Sequence, residues 1–138
     1  MTATRTQVGR LQALTSLSNE ELRRPLGDGW TVAAKLAHLA YWEARQVGAL
    51  EVWQRHGLPP AWWTLPEADA INAARLPLWL TLPPREALEQ AIAAAATLER
   101  LMAALPAAAL AQLPPRRRVH TAHRGDHLDE IERALGQA

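Results

Sequence analysis

The chain is expected to be all-α: a four-helix bundle with a long crossover between its second and third helices. Three observations lead there. Alanine, leucine and arginine dominate while isoleucine, valine and threonine are sparse, which favours helix over strand. Apolar residues recur at helical spacing in four principal segments, separated by proline and glycine. The apolar share of 49% excludes a disordered chain, and 138 residues suffice to close one core, so residues 1–138 are read as a single domain.

The first helix is expected from about Thr4 to Leu17, with Val8, Leu11, Leu14 and Leu17 on one face. Ser18 followed by Glu21 has the form of a capping box and opens a short turn ending near Pro25. The run LGDGW reads as a loop. Thr31 is a suitable N-cap for a long second helix, Val32 to His56, stopped by Gly57. Its apolar arc is wide enough to touch two neighbours, and His38 lies about two turns inside it.

From Leu58 to Pro83 the pattern is irregular, with one short helix at Glu67–Leu76. So long a connection either covers the bundle or serves a function. Trp62, Trp63 and Trp79 accordingly read as packing on the bundle or as the rim of a pocket. Pro84 begins a third helix running to Leu105, whose alanine run lets a neighbouring helix approach closely. Residues 106–115 form a connector, and RRRVHTAHRGDHLDEIERAL from Arg116 to Leu135 is the last helix.

That last helix carries the chemistry. His120, His123, His127, Ile131 and Ala134 fall on one stripe, where an unpaired imidazole would be costly to bury. His123 and His127, one turn apart, can aim two ring nitrogens at one ion. A third ligand must come from His38 or His56, and bundle metal sites draw ligands from facing helices, which favours His38. His56 sits at a helix end, where a solvated imidazole is ordinary. His120 stays open as an alternative ligand or a group behind the ligands.

Glu43 and Asp126 point at angles unlike the histidines and read as solvated or structural charges, although Asp126 and Asp129 are placed to orient an imidazole. Arg116, Arg117 and Arg118 form either a solvated run or a site for an anionic substrate, with Arg117 and Arg118 the candidates for anion binding. The formal charge of +1 argues against nucleic acid or membrane as partner. The lack of cysteine rules out disulfides and thiolate ligands, and no export or membrane segment is evident, so a cytoplasmic location is expected.

Two stretches, GWTVAAKLAHLAYWEARQ and HRGDHLDEI, together resemble the DinB/YfiT-like superfamily of small four-helix proteins. The resemblance runs from Asn19 to Leu135. It implies a divalent metal, nickel or zinc with manganese a further candidate, held by His38, His123 and His127. It also implies a metal-dependent hydrolase, or a transferase using a low-molecular-weight thiol such as bacillithiol or mycothiol, acting on a small molecule and often as a homodimer. The competing expectation is a non-catalytic binding or stress-associated bundle in which the metal only joins helices.

Overall fold

The computed structural model describes residues 6–57, 62–118 and 120–136, with the side chains of Arg116 and Arg118 outside that description. The chain is all-α, and four helices, α1 (Gln7–Ala13), α3 (Val32–His56), α5 (Pro84–Ala104) and α8 (His120–Gly136), make the bundle. Among the described residues no helix is long and apolar enough to cross a membrane.

The first helix is shorter than its periodicity predicts. Thr6 accepts from the Gly9 amide and starts α1, which tightens at Leu14–Ser16 into a 3₁₀ turn. Residues 1–5, including the expected start at Thr4, lie outside the described residues. The Ser18–Glu21 capping box is complete in both directions and begins α2 (Asn19–Leu22). The expected loop that follows is instead a small hairpin, β1 (Pro25–Gly27) antiparallel to β2 (Trp30–Thr31). Gly27, Asp28 and Gly29 reverse the chain with φ of 108°, 53° and 83°, values open to glycine and tolerated by aspartate. The hairpin delivers Trp30 to the start of α3.

Helix α3 has the predicted limits. Thr31 accepts from the Ala34 amide, and Gly57 ends the helix at a φ of 66°. Every residue from Val32 to Ala40 is buried. The most extensive helix pair is α3 with α5, where fully buried Ala87, Ala91 and Ala95 admit the close approach. Leu11, Leu22, Leu36, Leu88, Leu128 and Ile131 complete the main core. A second cluster, Leu50, Leu98, Met102 and Leu113, closes the far end.

The crossover departs most from expectation. It carries a helix of 15 residues, α4 (Leu65–Trp79), in place of the short segment at Glu67–Leu76. Pro66 does not break it because it lies in the first turn, where no amide partner is lost, whereas Pro77 stands inside the helix close to its end and forgoes one backbone hydrogen bond. Thr64 caps the helix through the Glu67 amide. The second connector likewise contains α6 (Ala107–Gln112), and the expected last helix is described as α7 (Pro115–Arg118) and α8, with Val119 between them outside the described residues.

The face that α8 buries is Arg124, Leu128 and Ile131, with the histidines on its flank. Arg124 is fully buried. Its Nε donates to Glu43 Oε1 at 2.8 Å, and its Nη2 bonds the same carboxylate. Nη1 donates to Glu99 Oε1 at 2.6 Å and to Gln7 Oε1 at 3.0 Å. One guanidinium thus joins α8 to α3, α5 and α1. Glu43 is therefore structural, as one reading of it held, but buried rather than solvated. Burial raises its carboxyl above the usual range, against the pull of Arg124.

An ion pair this buried stabilises little against an apolar substitute, but removing one partner strands the other. Arg124→Leu leaves Glu43 buried without a counter-ion and should cost about 3–5 kcal/mol in urea unfolding. Glu99, with 40% of its side chain exposed, can turn to water instead. The double variant Arg124→Leu/Glu43→Leu should recover most of the loss. Equal losses in the single and double variants would count against the stranded-charge account.

Candidate metal centre

Three imidazoles meet where α3 faces α8. His123 Nε2 stands 3.3 Å from His38 Nε2 and 3.0 Å from His127 Nε2. The ligand nitrogens of all three lie within 4.8 Å of one another. His123 and His127 reach the same point because they are one turn apart on α8, and His38 meets them from the opposing helix. His38 is buried, His127 half-buried, and His123 exposed toward a cleft of about 630 Å³. The cleft is lined by His38 and His123 together with Asn72, Asp126, Trp63 and Arg117.

The donor set fits a divalent ion. His127 Nδ1 faces Glu130 Oε2 at 3.2 Å, so a carboxylate accepts its N–H and Nε2 is left bare. His38 Nδ1 faces Asn72 Oδ1 at 3.1 Å. With those two Nε2 atoms bare, at most one N–H, on His123, is available to the three facing nitrogens. A cation between them removes the lone-pair opposition. Nitrogens about 2.0–2.1 Å from a tetrahedral ion stand roughly 3.3–3.4 Å apart, which the 3.3 Å between His38 and His123 meets and the 3.0 Å between His123 and His127 approaches.

The surroundings keep the imidazoles neutral. Burial drives His38 down from its ordinary 6.5 to about 3, helped by His127, His123 and Lys35. His123 falls to about 4, first through lost hydration among the packed rings, then through His127, Lys35 and Arg117. His127 is also lowered by burial and Lys35, with Glu130 and Asp126 pulling the other way. Lys35, the single lysine, is itself buried, 4.0 Å above the Trp30 ring and 4.0 Å from Glu130 Oε1. Burial lowers it as well.

The other candidates separate. His120 is not beside the three rings: its Nε2 lies 3.0 Å from Glu99 Oε1, at the edge of the Arg124 network. Asp129 turns away to Arg10 at 2.7 Å, so it orients no imidazole. Asp126 lines the cleft and acts on His127 only through its charge. His56 is exposed at the end of α3. Arg117 lines the cleft with its guanidinium 4.0 Å from the Trp63 ring, while the side chain of Arg118 lies outside the described residues.

The tryptophans divide between the two readings. Trp63 lines the cleft, and half-buried Trp62 packs on it, at 5.6 Å between ring centroids. Trp79 is buried against His38, 5.6 Å away. Sequence reasoning missed Asn72 and Glu130 as the groups behind the ligands, and Arg124. Glu130 follows His127 by three residues, a spacing that marks it as a neighbour on the helix surface. Nothing local marks Asn72 or Arg124.

A helical bundle with three converging imidazoles beside a cleft defines a class: small proteins able to hold a divalent ion between facing helices. A family model of the DinB superfamily matches residues 3–131. The chain belongs to the DinB superfamily. Searches of curated proteins and of solved structures found no match.

The lowered imidazoles have a measurable consequence. Between about pH 4 and 6.5 the unfolded chain binds protons that the folded, metal-free protein refuses, so stability rises with pH across that window and falls on acidification. Buried His38 should dominate, since water screens exposed His123. Thermal melts of metal-free protein at pH 5 and 7 should show a clear gap that narrows in His38→Gln. An unchanged gap in that variant would remove His38 as its source.

Proposed function

We propose that the protein is a metalloenzyme that acts on an anionic small molecule, with His38, His123 and His127 as the ligands of one divalent ion. The observation that supports this best is the convergence of three imidazole nitrogens beside an open cleft that His38 and His123 line. Structural zinc sites take four protein ligands, whereas three leave a position for water or substrate. A bound divalent ion would supply Lewis acidity to water, a carbonyl or a thiol. That chemistry covers metal-dependent hydrolysis and transfer to a thiol such as bacillithiol or mycothiol. Nickel, zinc and manganese are the candidate ions.

The chain's own residues do the rest. His38 and His127 are held from behind by Asn72 and Glu130, so two donors are pre-oriented before an ion arrives. Arg117, stacked on Trp63, lines the same cleft and is placed to take a carboxylate or phosphate of the substrate. Asp126 lines the same cleft and can orient water there.

Elemental mass spectrometry on untagged protein should find near-stoichiometric nickel, zinc or manganese, lost in both His38→Ala and His123→Ala. Folded protein that takes up no metal after loading would end this reading. If metal binds, Arg117→Ala and Arg118→Ala should each weaken an anionic probe, with succinate and bacillithiol tried first. The loss should be about 10–100-fold where a charged hydrogen bond is removed. Unchanged affinity in both would dismiss the anion site. Metal uptake without hydrolysis or thiol transfer across a substrate panel would favour a non-catalytic bundle.

A further inference from the structure

We infer that Asn72, on the crossover helix α4, is the positioning residue for His38. It selects the tautomer that leaves Nε2 bare and turned toward His123 and His127. The purpose of this arrangement rests on the metal-binding reading above, but its geometry does not.

An asparagine amide has an acceptor end and a donor end, and its neighbours decide which way it faces. Trp42 settles the matter. Its indole Nε1 can only donate, and it lies 2.7 Å from Asn72 Oδ1. The atom facing Trp42 must therefore be the oxygen. His38 Nδ1 lies 3.1 Å from that same oxygen, so it too must donate. A neutral imidazole carries one N–H. With the proton on Nδ1, Nε2 holds a lone pair, and it stands 3.3 Å from His123 Nε2.

The other tautomer is penalised. It would set the Nδ1 lone pair against the amide oxygen, leaving a ring nitrogen without a partner on a residue only 5% exposed. No substitute acceptor comes from the rings packed on His38. Trp30 and Trp79 approach it edge to face at 5.4 and 5.6 Å, and an indole offers only an N–H. His38 and Trp42 are one turn apart on α3, so a single oxygen on α4 ties both side chains. The crossover does more than cover the bundle: its docking sets which nitrogen of His38 is free.

Two-bond nitrogen–proton spectra of protein labelled with ¹⁵N-histidine read the tautomer directly. Metal-free wild type should show His38 protonated at Nδ1. Asn72→Leu should move it to Nε2–H or a mixture, and Asn72→Ala serves if the first variant folds poorly. Asn72→Asp, which still accepts from both donors, should retain Nδ1–H. Zn²⁺ affinity, measured by competition with a chelating dye, should fall about 10–100-fold in Asn72→Leu. It should return to within a few-fold of wild type in Asn72→Asp.

His38 protonated at Nε2 in the wild type would overturn the inference without any variant. So would a tautomer unchanged in Asn72→Leu, even with weaker Zn²⁺ binding, because Asn72 would then act only on packing. Wild type that binds none of Zn²⁺, Ni²⁺ and Mn²⁺ but shows the tautomer switch would sink the metal reading and leave the hold of Asn72 on His38 standing.

Discussion

The buried guanidinium of Arg124 is the constraint on which the rest of the structure depends. It needs acceptors on several sides, and they come from Glu43 on α3, Glu99 on α5 and Gln7 on α1. A slip of α8 by one residue would move it about 1.5 Å and turn it by about 100°, which breaks every one of those bonds. His123 adjoins Arg124 and His127 lies three residues beyond it. The register that satisfies the guanidinium is therefore the register that turns both imidazoles toward His38. Apolar contacts at Leu128 and Ile131 hold α8 to the core but tolerate rotation, whereas the ion pairs do not. Gly125 belongs to the same contact, since a Cβ there would stand 2.9 Å from Gln7 Nε2.

How much of this could be read from the sequence follows from how local each cause is. The α3 limits and the Ser18 capping box depend on residues within one turn, and both were legible. The pairing of His123 with His127 is a matter of helical spacing. Choosing His38 as their partner needed only the rule that bundle sites draw on facing helices. The stripe itself was misjudged, because His120 turns to Glu99 and Arg124 takes the innermost place. Arginine is the last residue that pattern reading assigns to a core. Its partner Glu43 is 81 positions away, and nothing near either residue announces the other.

The crossover was illegible for a different reason. Its sequence is irregular, yet Pro66 falls in the first turn of α4, where no amide partner is lost, and Pro77, near the other end, costs only one backbone hydrogen bond. Because α4 was undervalued, so was Asn72, whose role exists only once α4 lies against α3. The hairpin at Pro25–Thr31 was missed because so few residues pair that no alternation can develop.

The charges around the three imidazoles look at first ill-suited to a cation. Lys35 and Arg117 both press positive potential on the rings. The competitor for an imidazole lone pair, however, is the proton, and the same charges repel it. At pH 5 an imidazole with a pKa of 6.5 is about 97% protonated, while one at 4 is about 9% protonated. Glu130 and Asp126 supply negative charge beside His127, which offsets part of the repulsion an ion would meet. A divalent ion also gains bonds from all three nitrogens at once, whereas each proton gains one. Burial and positive neighbours therefore hold protons off the rings, while the carboxylates beside His127 and three simultaneous nitrogen bonds are what would draw an ion to them.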